Sequence, residues 1–141
     1  MRNAEETIGK LIDKQKECYI SSVDHDGFPN TKAMLNPCKR EGIKTLYWHT
    51  NSPSMRIQQY KDNPKACIYF CDKRFFRGVM LIGLMEVLDD AQTRQELWKD
   101  EYSIYYQGGR DGGDFIVLRF TADKGRYYSN FKSEDFTVSS D

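Results

Sequence analysis

Residues 44–64 read KTLYWHTNSPSMRIQQYKDNP. The first seven, KTLYWHT, have the aromatic and β-branched content of a strand. Ser52 and Pro53 suit the first turn of a helix, which the pattern carries to about Tyr60 before Asn63-Pro64 stops it. Such a strand-loop-helix places unpaired backbone N–H groups and partial positive charge at the helix start, a setting that favours phosphate. Thr50, Asn51, Ser52 and Ser54 add side-chain donors, and Arg56 adds a planar cation able to pair two phosphate oxygens. The residues alone leave two readings open, an anion site or an ordinary helix start. Neither GxGxxG nor GxxxxGK[ST] occurs, so the common dinucleotide and P-loop cradles are excluded.

Upstream, residues 3–16 read as a helix with an Ile8, Leu11 and Ile12 stripe, and Asn3 with Glu6 resembles a cap. CYISSV (18–23) and FPNTKAML (28–35) form a hairpin about Asp24-His25-Asp26-Gly27. Lys32 lies on the return strand. It reaches the same anion if that strand neighbours residues 44–50; otherwise it is an exposed strand lysine. Residues Asn36 to Gly42 read as a polar loop.

Downstream, strands are expected at about 65–71 and 75–88, with Gly78 and Gly83 able to bend or bulge the second. A helix runs from Asp89 or Asp90 to about Tyr106, burying Leu97, Trp98 and Tyr105, and Gly108-Gly109 ends it. The GGRDGG run (108–113) follows this helix, so it reads as a helix stop and flexible loop rather than a phosphate cradle. Two closing strands fall at 114–121 and 125–130, with Tyr127 and Tyr128 on opposite faces. The polar tail 131–141 reads as loosely held. About seven strands in hairpins, three helices and no strand-helix alternation predict a mainly β fold. The expected architecture is one domain over 1–141, a small antiparallel barrel with helices packed outside it.

Composition narrows the function. Hydrophobic residues make up 39% and charged residues 30%, ordinary for a soluble globular chain. Twenty-one basic and 21 acidic residues cancel, which argues against nucleic acid or an anionic membrane as partner. The N-terminus lacks a signal-like apolar run, and no stretch nears the roughly 18 residues of a span, so a cytoplasmic protein is expected. The four cysteines should then stay reduced. Cys67 and Cys71 read either as a metal or redox pair or as small strand residues, and no second Cys-His pair stands at zinc spacing, so no metal site is expected. His49 precedes the candidate phosphate loop, while His25 sits in an acidic turn facing solvent. No Ser-His-Asp order or HExxH motif is present, and no catalytic residue is assigned.

Four segments together resemble a known family: VDHDGFPNTKAM, LYWHTNSPSMRIQQYKDNP, RGVMLIGLMEVL and LWKDEYSIYYQGGRDGGDFIVLRF. In this order they are similar to the pyridoxamine 5′-phosphate oxidase-like flavin-binding split barrels, closest to the small general stress protein branch, over roughly residues 5–131. The resemblance implies an antiparallel split β-barrel of six to seven strands, an FMN cofactor, and a homodimer with the flavin in the cleft between subunits. It puts Lys32 at the first phosphate-binding position and Ala33 and Met34 along the flavin with their backbone. His49, Thr50 and Asn51 fall at the strand-end contacts, and Ser54, Met55 and Arg56 at the helix-start phosphate site.

The chain departs from the oxidase pattern. Met55 stands where the oxidases carry a second cation, Gly78 where they use Gln on the flavin ring, and Pro37 where they have a basic residue near substrate. The C-terminal substrate-binding Arg and His have no counterpart before Asp141. The expectation is therefore an FMN-dependent oxidoreductase with an unknown small acceptor and NADH or NADPH as donor, not a true pyridoxamine phosphate oxidase. Alternatives are a non-enzymatic flavin-binding stress protein, or a split barrel that has changed ligand to haem or a deazaflavin. Trp98, Tyr106 or Tyr128 would reach the ring from the partner subunit.

Overall fold

The computed structural model describes residues 1–52 and 54–139. Pro53, expected in the first turn of the second helix, lies outside them. In chain order the elements are α1 (Ala4–Asp13), β1 (Glu17–Val23), β2 (Pro29–Leu35), β3 (Lys39–Glu41), β4 (Thr45–Asn51), α2 (Met55–Asp62), β5 (Lys65–Asp72) and β6 (Arg77–Leu88). Then come α3 (Ala91–Leu97), a 3-10 helix (Asp100–Ile104), β7 (Phe115–Ser129) and β8 (Lys132–Thr137).

All eight strands belong to one antiparallel sheet in the order β2-β1-β5-β6-β7-β4-β3, with β8 on β7. The sheet curls into a split barrel. Alternation fills it: Cys18 and Ile20 of β1, Ile68 and Phe70 of β5, Val79 and Leu81 of β6, and Leu118 and Phe120 of β7 all point into one core. The apolar stripe of α1, Ile8, Leu11 and Ile12, packs on that core. Asn3 caps α1 by accepting from the Glu6 N–H at 3.1 Å.

The split is visible in the pairing. β2 is hydrogen-bonded to β1 alone, and β3 covers only Thr45–Tyr47 of β4. Among the described residues, the edge of β2 away from β1 and, over Trp48–Asn51, the edge of β4 away from β7 therefore have no strand partner. These two free edges set the position of the site.

Several boundaries differ from the sequence expectation. The two closing strands are one continuous strand, β7, because Asp123 is accommodated as a bulge rather than a turn. Ile82 faces Lys124 and Gly83 faces Ala122, leaving Asp123 unmatched. Gly83 is required there, since a Cβ would lie 2.0 Å from the Thr121 carbonyl oxygen. The tail expected to be loose instead forms β8 over Lys132–Thr137, with Phe136 packed against the core. Its hairpin turn is Asn130-Phe131, with φ of 53° and 65°. Both turn residues are left-handed, as a two-residue hairpin requires, but Phe stands where Gly normally signals it.

The expected helix 89–106 breaks at Trp98, whose backbone is extended, and resumes as the 3-10 helix. The break changes the phase: Tyr102 and Tyr106 are buried while Tyr105, expected inside, is exposed. The loop 36–42 contains the short β3, which continues the sheet beyond the first half of β4.

Candidate functional site

A cavity of about 330 Å³ lies in the split. Lys32–Leu35 of β2, the following Asn36 and Cys38, Trp48–Asn51 of β4, and Tyr105 with Tyr106 line it. Its size falls in the range of small-ligand sites. Two bonds hold its floor. The Trp48 indole N–H donates to the Leu35 carbonyl at 3.1 Å, and the Cys38 N–H to the Tyr47 carbonyl at 2.8 Å.

Of the nine expected site residues, six line this one cavity: Lys32, Ala33, Met34, His49, Thr50 and Asn51. Register explains how. Ala33 faces Tyr19 of β1, so the backbone edge of Lys32–Met34 away from β1 is open to a ligand. Ser54, Met55 and Arg56 are not part of the lining. Ser54 caps α2, its hydroxyl accepting from the Ile57 N–H at 3.4 Å. Met55 is 77% exposed and faces a separate groove beside Asp24 and His25.

The helix is nonetheless bolted to the same hairpin. The Tyr60 hydroxyl donates to the Ser21 carbonyl at 2.8 Å, and the Ser22 hydroxyl bonds Gln59. Both serines sit on β1, the strand that pairs with β2. Lys32 and Arg56 make no hydrogen bond or ion pair among the described residues, leaving two cations free for an anion.

His49 stands at the cavity wall within an aromatic cluster. Its ring lies 4.1 Å from Tyr102, centroid to centroid, and its Nδ1 is 2.7 Å from the Tyr106 hydroxyl. Phe115 and Trp98 complete the cluster, with rings 5.0 Å apart and perpendicular. Burial, reinforced by nearby Lys99, pushes the His49 pKa down. Burial likewise pushes the Tyr106 hydroxyl well above its ordinary range. Both shifts favour the uncharged form of the group.

Leu35, Asn36, Cys38 and Tyr105 also line the cavity and were not expected there from sequence. The Asn36 amide donates to the Ile12 carbonyl at 2.8 Å, while its buried Oδ1 has no partner among the described residues. Only the fold reveals this, because α1 is distant in sequence. Tyr106, one of the three residues expected to serve a partner subunit, lines the cavity of its own chain, and Trp98 packs on Tyr102, Tyr106 and Phe115. Tyr128 lies on β7 opposite Gly78, outside the lining. All four cysteines are free, and no cluster of metal-binding side chains occurs among the described residues.

The family model described as pyridoxamine 5′-phosphate oxidase matches residues 4–129. The chain belongs to the pyridoxamine 5′-phosphate oxidase family. Within this family, a solved structure from Clostridium acetobutylicum, of a protein related to general stress protein 26 of B. subtilis, is 35% identical, with a TM-score of 0.85 over 96% of this chain and 94% of that one. General stress protein 26 from Bacillus anthracis superposes with a TM-score of 0.76 at 19% identity, covering 95% of this chain and 98% of that one. A heme binding protein from Mycobacterium smegmatis shares the fold at a TM-score of 0.76 and 15% identity, over 97% of this chain and 59% of that one. The pyridoxine/pyridoxamine 5′-phosphate oxidase of Caulobacter vibrioides is 30% identical over 74 residues, 52% of this chain. That match spans only 32% of the oxidase. No helix among the described residues is long and apolar enough to cross a membrane.

Proposed function

We propose that this member of the oxidase family binds FMN in the β2–β4 cavity, as a homodimer, and acts as an oxidoreductase on a small acceptor. The observation that carries this reading is the convergence of six expected flavin contacts on one cavity in the split of the barrel. The cavity also suits the group chemically. Free backbone edges of β2 and β4 offer hydrogen bonds to the polar rim of a flat ring, and the orphaned Asn36 Oδ1 offers an acceptor for a ligand N–H or an ordered water. Lys32, Arg56 and the N-terminus of α2 are the groups assigned to the phosphate.

Bound FMN supplies the two-electron chemistry, with a nicotinamide as donor. The residues of this chain bind and orient. Met34 and Ala33 shape one wall, and His49, Thr50 and Asn51 shape the other. A second copy of the chain has a surface to occupy. The outward face of β1, β5 and β6 carries Tyr19, Tyr69, Met80, Ile82 and Leu84, with Tyr69 40% and Leu84 50% exposed.

The test is the visible spectrum of the purified protein followed by titration with FMN. A flavin spectrum, or saturable binding at micromolar FMN, is expected. A colourless protein that ignores micromolar FMN overturns the reading. Stopped-flow mixing with NADH and NADPH then separates an oxidoreductase from a flavin carrier, and the elution volume on gel filtration tests the dimer.

A further inference from the structure

The His49–Tyr106 pair has a defined polarity. The Tyr106 side chain is buried, and among the described residues its hydroxyl has one hydrogen-bond partner, His49 Nδ1 at 2.7 Å. A buried O–H left without an acceptor is costly, so the hydroxyl donates to Nδ1 rather than accepting from it. A neutral imidazole that accepts at Nδ1 carries its proton at Nε2. That Nε2–H has no protein partner among the described residues, and His49 lines the cavity. The Tyr102 ring, stacked at 4.1 Å and tilted by 33°, restrains the imidazole against rotation.

We propose that Tyr106 holds His49 as the Nε2–H tautomer, and that this N–H is the hydrogen-bond donor the cavity presents to an acceptor atom of its ring ligand, a carbonyl oxygen or an unprotonated ring nitrogen. The role given to the donor rests on the flavin reading above. His49 binds the ligand, and Tyr106 is a positioning residue that acts through it. The pair gives the cavity a neutral donor beside the cation Lys32, so ring and phosphate are recognised by separate groups. The alternative is that His49 is only a packing member of the aromatic cluster, in which case its tautomer and its donor capacity have no bearing on the ligand.

The test uses the full chain carrying His25→Ala, which leaves one histidine. Long-range proton–nitrogen spectra of the ¹⁵N-labelled protein without ligand report which ring nitrogen is protonated. Protonation at Nε2 is expected, with Nδ1 showing a hydrogen bond that Tyr106→Phe abolishes. Riboflavin, which has no phosphate, is then titrated, and the Nε2–H resonance moves on binding. His49→Phe weakens riboflavin and FMN alike by about tenfold, the loss of one hydrogen bond, while His49→Gln keeps a donor amide and most of the affinity. A flavin-binding wild type whose His49 is protonated at Nδ1, or whose His49→Phe variant binds riboflavin unchanged, overturns the donor pair and leaves the flavin reading standing. A wild type that binds neither flavin overturns the flavin reading and the donor's role with it.

Discussion

Trp48 and Leu35 are joined across the split by an indole N–H to carbonyl bond of 3.1 Å. The bond ties the free half of β4 to the end of β2, the two edges that the hydrogen-bonded sheet leaves apart. Trp48 is almost wholly buried, so its indole N–H needs this acceptor. Trp48→Phe removes the donor and leaves a small void. A loss of about 2 kcal/mol is expected in urea unfolding, with an unchanged m-value. A change within a few tenths of a kcal/mol would show that the two edges are held by other contacts.

Arg56 separates phosphate recognition from ring recognition. It carries no ion pair among the described residues and lies in the first turn of α2. Arg56→Ala should weaken FMN by about tenfold to a hundredfold, the range for losing a charge-assisted hydrogen bond, and leave riboflavin nearly unchanged. Lys32→Ala should behave in the same sense. Fluorescence titration with both ligands checks this, and an equal loss for both would remove these cations from the phosphate site.

Gly83 tests the bulge. A methyl group there would sit 2.0 Å from the Thr121 carbonyl oxygen and 2.9 Å from the Ala122 Cα, both backbone atoms that cannot turn aside. Gly83→Ala is expected to cost about 3 kcal/mol, at the upper end for overpacking. Alanine at Gly27 meets nothing within 4 Å but is held at a φ of 87°, so its smaller cost reads backbone strain alone. Thermal melts of the two variants should therefore separate, with Gly83→Ala much the lower.

Stability should fall on mild acidification because of His49. Burial, with Lys99 nearby, lowers its folded pKa below the ordinary 6.5. The unfolded chain then binds the proton more readily than the folded one. Folding is fully stable above about pH 6.5, and stability is lost as pH falls from there through the lowered folded value. Tyr102 and Tyr106, the other titratable groups against the ring, stay neutral throughout this window, since burial raises both. Melting temperatures of the wild type and His49→Gln should differ most at neutral pH and draw together as the pH falls below 6.5. Parallel curves would mean that His49 titrates as it does in the unfolded chain.

The sequence carried the fold where the local signal and the tertiary outcome agree. The Val23–Pro29 hairpin, the strand ending in His49-Thr50-Asn51 and the short helix after it are fixed by turn, cap and proline residues close at hand. The signal failed where a distant contact decides. Trp98 leaves the helix because its ring is wanted against Phe115, and Asn130-Phe131 turns tightly without glycine because β8 is held by β7. Within the site, His49–Asn51 stood out because a strand end before a helix start has recognisable chemistry, whereas Lys32, in the middle of β2 and not paired with β4, was marked by the family resemblance alone. Asn36 was not, since its neighbour Ile12 stands 24 positions away and no local pattern marks an amide half-satisfied by a helix end.

The length of β7 also governs when the molecule can form. Its fifteen residues, Phe115–Ser129, are the common partner of β4, β6 and β8. Until they leave the ribosome, β4 has only the three-residue β3 beside it and the long β6 has one side empty. The nascent chain can build the β1–β2 hairpin and its pairing with β5 early, but it cannot close before β7 has emerged. Closure of the barrel therefore waits on β7, and a translating chain stalled before Phe115 is an exposed-edge species that holdase chaperones should recognise.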